Sequence, residues 1–294
     1  MGNIYRKAVV ARTCPHGKGS LDNPVDPVYG LHMRPVFVLL TDFGHTSPYV
    51  GQMHGVLLSG CRNAAIIDLC HNITPHSIVE GALMLQASVS FLPPESIVLA
   101  VVDPDVGTQR PLIILKTPRQ HFLAPDNGIL GPLAAHGRIW DILPAEAASS
   151  TFHGRDILAR VAVRLACGEP LACLATPRPH GTLHPLPSPP YRKQEGLWAQ
   201  VVHVDHFGNC LLDVPSSHDL PEQIVVCGRP ARTVRTYADL GPGEIGLVRS
   251  SQGVWEIAAN QASAAQIVDL SPGKTILLSP LPSCSAESTS PLPF

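Results

Sequence analysis

The sequence predicts an α/β protein. Its N-terminal part carries a mostly parallel sheet with flanking helices, and its C-terminal part is a smaller antiparallel β unit, a barrel or a sandwich. Three observations lead there. Continuous apolar runs at 35–40, 63–69 and 96–104 read as buried parallel strands, and segments of helical period separate them. The stretch 177–196 holds six prolines and reads as a linker. Beyond it the pattern changes to short strand signals spaced by Gly, Pro and Ser.

Residues 1–32 show neither period 2 nor period 3.6 and read as a loose extension, with Met33 opening the folded body. PVFVLL (35–40) is the first strand. PYVGQMHGVLLSG (48–60) is a helix with Pro48 suited to its first turn. NAAIIDL (63–69) is the next strand. The helix 77–92 follows, opened by Ser77 with Glu80 three residues later as a capping box. SIVLAVVDP (96–104) is the third strand, and RPLIILKT and HFLAP extend the sheet. GRDILARVAVRLACG (154–168) is a helix ended by Gly168. This makes 33–176 one domain. After the linker, LWAQVVHVD, NCLLDV, QIVVC, EIGLVRS, VWEIAAN and KTILL supply the strands of a second, 197–280, and the Pro/Ser-rich tail 281–294 reads as disordered.

Composition removes several classes of function. A chain of 294 residues can bury a sizeable core without disulfide or metal staples. Its formal net charge of −2, with no long run of either sign, argues against a nucleic-acid footprint and against a polybasic membrane anchor. No apolar stretch approaches the roughly 20 residues of a spanning helix. The eight cysteines form no Cys-x-x-Cys pair and mostly sit in apolar runs, where a thiol behaves as a small hydrophobe. The N-terminus lacks the apolar core of a signal peptide, and Arg6 spoils a myristoylation motif. A cytoplasmic protein is expected.

In open α/β sheets, ligands bind beyond the carboxyl ends of the strands. The polar clusters fall there: Thr41-Asp42-Phe43-Gly44 after the first strand, Asp68 to His76 after the second, and Asp103 after the third. Each aspartate alone reads equally as a helix cap or turn former; three on consecutive strands point to a shared pocket. VDPDVGTQR (102–110) reads as a Gly-containing loop or plain hairpin with an acid at its start and Arg110 at its end. TFHGRDILAR (151–160) puts His153 just before a helix, where the positive dipole end favours a neutral imidazole; a capping or core histidine is the plainer reading. APDNGIL and VDHFGN are turn signals as well as candidate ligand loops.

Taken together, TDFG…YVGQMHGVLL, IIDLCHNITPHSIVEGA, VVDPDVGTQR, APDNGIL, FHGRDILA, VDHFGN and SSQGVWEIAANQASAA occur in one order. In this combination the chain resembles the S-adenosyl-L-methionine hydrolases that form adenosine (hydroxide adenosyltransferases), relatives of the fluorinase and chlorinase. The resemblance spans about 34–280. It implies an N-terminal α/β domain, a C-terminal β-barrel, S-adenosyl-L-methionine as substrate without a cofactor or metal, and a homotrimer with active sites between subunits. It also implies roles. Asp42 would hold the ribose hydroxyls, Asn209 the adenine, Asp205 the methionine ammonium, and Ser250 and Ser251 the methionine carboxylate. His76 stands where the family often has an aromatic packed by the ligand, and Phe152 would flank the reacting carbon. Asp103, Arg110 and His153 match the family's water-activating trio, which the halogenases lack.

The reaction suits these residues. A sulfonium is already an activated leaving group, so the protein must place a water in line and assist its proton loss. Arginine stays protonated and so holds the water, His153 is the better proton acceptor, and Asp103 orients one of the two. The chain departs from the family pattern at Ser47, which replaces an acid of the ammonium site, and at Asp105, which replaces a loop glycine. It departs again at Leu212-Asp213, which replaces Thr-Asn, and at Ser250, which replaces asparagine. Three rival readings remain distinct: a halogenase, a metallohydrolase using His45, His71, His76, Asp42 and Asp103, and an adenosyl-binding module without turnover.

Overall fold

In the computed structural model, which describes residues 34–144, 149–179, 183–186 and 196–281, the three apolar runs become the centre of a seven-stranded sheet. The N-terminal extension, the tail beyond Leu281 and most of the proline-rich stretch lie outside the described residues. The strands are β1 (Val36–Thr41), β2 (Ala65–Cys70), β3 (Ile97–Val101), β4 (Leu112–Lys116), β5 (His121–Pro125), β6 (Arg138–Ile142) and β7 (Ala175–Arg178), in the order β2-β1-β3-β5-β4-β6-β7. The ladders β2-β1, β1-β3 and β3-β5 are parallel, and those of β4, β6 and β7 are antiparallel. Hence β2, β1, β3, β5 and β6 run one way, and β4 and β7 the other.

The sheet is covered on both faces, which is why its central strands are almost wholly apolar, Thr41 at the end of β1 and His121 at the start of β5 excepted. Phe37, Leu39, Leu99 and Leu123 pack with Met53 and Leu57 of helix α1 (Tyr49–Gly60) and Val161 of helix α3 (Ala159–Ala166). Val38, Leu40, Val98 and Phe122 pack with Ala82 and Leu85 of helix α2 (Ile78–Ser88). The helix ends follow local chemistry. Gly168, past the end of α3, has the left-handed φ of +82° expected of a helix terminator. Ser77 Oγ accepts the Glu80 N–H, but the Glu80 carboxylate turns inward instead of closing the capping box.

The structure corrects the sequence reading in four further places. Helix 77–92 ends at Ser88 and continues as a 3₁₀ turn, Val89–Phe91. Helix 154–168 opens with a π turn, Gly154–Leu158. The loop 102–110 is no hairpin, because β5 lies between β3 and β4. Pro177 and Arg178, placed in the linker, are the end of β7; an edge strand tolerates a proline that a central one would not. A short helix α4 (Leu171–Leu174) leads into that strand.

The C-terminal unit is a closed barrel of β8 (Leu197–Val204), β9 (Cys210–Pro215), β10 (Gln223–Val226), β11 (Arg229–Val234), β12 (Ile245–Arg249), β13 (Val254–Ala259) and β14 (Thr275–Pro280). Every neighbouring pair is antiparallel except β11 and β12. Val201, Leu212, Val226, Leu247, Ile257 and Leu278 fill it, and the short helix α5 (Ala264–Ile267) lies against β13. Cys210 belongs to this core, and burial pushes its thiol up to about 12.

Candidate active site

Asp42 and Asp103 follow the carboxyl ends of β1 and β3, which flank the point where the chain reverses its direction across the sheet. A doubly wound sheet leaves a crevice there. A cavity of about 610 Å³ opens at this point, lined among others by Asp42, Tyr49, His76, Asp103, Phe152 and His153. The turn carrying Asp42 is firmly held. Thr41 Oγ1 accepts the Phe43 N–H at 3.3 Å and is 2.8 Å from His71 Nδ1, and the Gly44 N–H donates to the His71 carbonyl at 2.7 Å. His71 Nε2 and His54 Nε2 both meet Asp68 Oδ1, at 3.0 and 2.8 Å. Burial pushes the Asp68 carboxyl up, but the two imidazoles prevail and hold it below its ordinary value. Asp42 Oδ2 accepts the His76 N–H at 2.9 Å, an approach made with His76 in the left-handed region at φ +69°.

Asp103, Arg110 and His153 lie on two loops. Asp103 and Arg110 form a salt bridge whose side chains are 8% and 12% exposed. Asp103 Oδ1 and Arg110 Nε are buried without a hydrogen-bond partner among the described residues. Burial pushes the Asp103 carboxyl up, against the pull of Arg110, His153 and the Asp105 amide. His153 ends the second loop, immediately before the π turn, an irregularity that often marks functional sites. The two loops meet at Gly107, at φ +89°, where a Cβ would stand 2.9 Å from the Ser150 carbonyl oxygen. Asp156 pins the second loop by accepting the Ser149 N–H at 2.9 Å, while Arg155 bonds both Asp156 oxygens and Gln52 Oε1. Phe152 stacks edge-to-face with Phe43 and Tyr49, at 5.4 and 5.3 Å between centroids, and lies 4.8 Å under the Arg155 guanidinium.

A second cavity, of about 770 Å³, opens on the barrel and shares no lining residue with the first. Asp205, Asn209, Ser250 and Ser251 line it, with Phe207, Tyr237 and Glu256. Asp205 is folded into its own turn: Oδ1 accepts the N–H groups of Phe207 and Asn209, at 2.9 and 2.8 Å, and Oδ2 accepts Asn209 Nδ2 at 3.0 Å. Gly208 makes this possible, because at φ +87° its missing Cβ would stand 2.1 Å from Ser263 Oγ. Glu256, 2% exposed, accepts hydrogen bonds from the hydroxyls of Tyr237 and Ser250; burial pushes its carboxyl above the ordinary range.

The residues singled out from sequence thus fall into two groups. Asp42, His76, Asp103, Phe152 and His153 line the first cavity, with Arg110 paired to Asp103, and Asp205, Asn209, Ser250 and Ser251 line the second. Ser47 lines neither. Sequence reasoning missed Tyr49, Gln52, Arg155, Phe207, Tyr237 and Glu256. Glu256 did carry a signal, as the one acid in the apolar strand VWEIAA. Among the described residues no group of three or more His, Cys, Asp or Glu is placed to hold a metal ion. Both ring nitrogens of His71 are taken by Thr41 and Asp68. No helix among the described residues is long and apolar enough to cross a membrane.

Comparison with known proteins gives a consistent picture. The family model described as SAM hydroxide adenosyltransferase N-terminal domain matches residues 37–175, and that for the C-terminal domain matches 199–277. The chain is 38% identical over 253 residues to an (R)-S-adenosyl-L-methionine hydrolase of Salinispora tropica, covering 81% of this chain and 95% of that protein. A Thermus thermophilus protein of the same name is 33% identical, covering 84% and 100%. A fluorinase of Actinopolyspora mzabensis is 25% identical, covering 83% and 97%. Among solved structures, an uncharacterized conserved protein from Thermotoga maritima superposes with a TM-score of 0.72 at 31% identity, covering 83% of this chain and 99% of its own.

Proposed function

Since the chain belongs to the SAM hydroxide adenosyltransferase family, we propose that it hydrolyses S-adenosyl-L-methionine (SAM) to adenosine and L-methionine. Water attacks C5′ of the adenosyl group, the C5′–S bond breaks, and the sulfonium leaves as neutral methionine without needing a proton. The proton lost by the water is the one the protein must manage. The observation that carries this reading is the buried pairing of Arg110 with Asp103, which lines the same cavity as His153, with one polar atom of each partner left unbonded among the described residues.

In this mechanism Arg110 donates to the attacking oxygen and stabilises its hydroxide character, His153 accepts the proton, and Asp103 fixes the guanidinium. A positioned base contributes about 10²–10⁴-fold. The aromatic wall of Phe43, Tyr49 and Phe152 keeps bulk water from the reacting carbon and faces the sulfonium with negative ring surfaces. Asp42 binds the ribose hydroxyls and Asn209 the adenine. Asp205 receives the methionine ammonium, and Ser250 and Ser251 its carboxylate. His76 flanks the nucleoside. Ser47 brings no charge to the ammonium.

Asp42 and Asn209 line cavities with no residue in common, which supports an assembly in which one copy supplies the sheet half of each site and another the barrel half. A homotrimer is the form we propose, and a cytoplasmic address suits thiols such as Cys210. No cofactor is called for, because the leaving group arrives activated.

The test is chromatography of the purified protein incubated with SAM. Adenosine and methionine in equal amounts are expected. Adenosyl halide rising with added chloride or fluoride would make it a halogenase, and binding without adenosine would make it a module without turnover.

A further inference from the structure

A carboxylate with no exposed surface stands where the sheet meets the barrel. Glu80, in the first turn of α2, is 0% exposed. Its Oε2 accepts the Thr74 N–H at 3.0 Å, and its Oε1 lies 2.7 Å from Nδ1 of His203, 123 residues further along in β8. Burying a carboxylate is unfavourable unless it is paired and fully hydrogen-bonded, and here both oxygens are used. The helix cap does not require this, since Ser77 already takes the Glu80 N–H. A glutamate at this position could instead turn out to the Ser77 N–H.

What the arrangement fixes is the segment 71–77. Thr74 lies between His71, whose carbonyl takes the Gly44 N–H, and His76, whose N–H goes to Asp42 Oδ2. Drawing Thr74 onto Glu80 therefore sets the backbone from which Asp42 is oriented. At the other end, His203 lines the barrel cavity, two residues before Asp205. One buried side chain spans the rims of both cavities.

We propose that Glu80, together with His203, is a positioning residue for substrate binding, a latch that fixes the support of Asp42 against strand β8 of the same copy. Glu80 itself is fully buried and touches neither substrate nor reacting atoms. The proposal rests on the reading of the Asp42 cavity as the ribose site. Displacing a binding group by about 1 Å can lower a rate as much as 100-fold. Because the latch acts on binding that ground and transition states share, its loss appears in KM.

The experiment measures SAM hydrolysis and Tm for Glu80→Ala, Glu80→Gln, His203→Ala and His203→Asn. Glu80→Ala and His203→Ala should raise KM about tenfold with kcat within about threefold of the parent, the pattern of lost uniform binding. Glu80→Gln should recover most of KM, because its carbonyl can take the Thr74 N–H while its amide faces His203 Nδ1. His203→Asn should recover part, by donating its own amide to Glu80. If Glu80→Ala does not fold, the other three decide. KM unchanged in His203→Ala, or Gln no better than Ala, overturns the latch. So does a fall in kcat alone. No adenosine from the parent would sink the hydrolase reading instead, and calorimetric SAM affinity would then read the latch on the same variants.

Discussion

The two cavities are built on opposite electrostatic plans. At the end of the sheet, Asp103 and Arg110 are buried together, yet each keeps a polar atom unbonded among the described residues. In the barrel cavity the buried polar atoms are satisfied from within: Asp205 by its own turn, and Glu256 by Tyr237 and Ser250. An unbonded buried donor or acceptor is unfavourable at rest, and it gains most when a ligand atom or water arrives. A saturated pocket presents a fixed surface and gains by fit. Under the proposed mechanism the contrast separates the chemistry, with the ribose, in the first cavity from recognition of adenine and methionine in the second.

The largest effect should come from the side with unbonded atoms. His153→Ala or Arg110→Ala is expected to lower turnover about 10²–10⁴-fold with little change in affinity, and Asp103→Asn somewhat less. Steady-state kinetics with a binding titration checks this. Turnover within about threefold of the parent would break the contrast at its strong end.

Next in size come the recognition residues. Asp42→Ala should weaken SAM binding at least about tenfold, since a charge-assisted hydrogen bond contributes roughly 1.5–3 kcal/mol, and Asn209→Ala should weaken it less, a neutral one contributing roughly 0.5–1.5 kcal/mol. Unchanged affinity by calorimetry removes the residue concerned from the site. A change in the scaffold of the barrel cavity should act through both stability and fit. Gly208→Ala must place a Cβ 2.1 Å from Ser263 Oγ at φ +87°, at a cost of about 1–3 kcal/mol for the strained backbone alone. Calorimetry should show a lower Tm, and Ser263→Gly added to it should restore little, because the Ser263 Cα would still stand 2.8 Å from the new Cβ and the cap of α5 is lost with the hydroxyl.

The smallest effects are those of pH, and they should have opposite signs in the two cavities. Glu256 has a folded-state pKa above its unfolded value. Its contribution is therefore complete below the ordinary carboxylate range and is lost as pH rises through the raised value. Asp68, behind the sheet cavity, is held low. Its contribution is present above the ordinary range and is lost as pH falls through the lowered value. In Tm measured against pH, Glu256→Gln should remove the first trend and Asp68→Asn the second. The same trend in both variants would erase the distinction.

Much of the fold is written locally. β1 up to Leu40 and the whole of β3 are apolar because helices cover both faces, and Ser77 and Gly168 announce the ends of α2 and α3 through their backbone chemistry. β6, β7 and β11 carry no such signal: RIWDI is short and half polar, ATPR is an edge strand with a proline, and RPARTV is largely exposed. They become strands because neighbours supply the ladder. The candidate site shows the same split. Aspartates at strand ends were readable as a group, whereas Glu80 looked like a cap and proved to bond a residue in the other half of the chain. A contact between residues so far apart leaves no trace in spacing.

The barrel closes on its final strand. β14 pairs with β8 on one side and with β10 on the other, so during synthesis both partners keep an open edge until residues 275–280 have left the ribosome. Open edges of paired strands invite pairing with a neighbouring chain. A nascent chain that has emerged only as far as Lys274 therefore carries six of the seven barrel strands and is sticky along two sides. Pauses in translation late in the message should cost more protein to aggregation than pauses within the sheet.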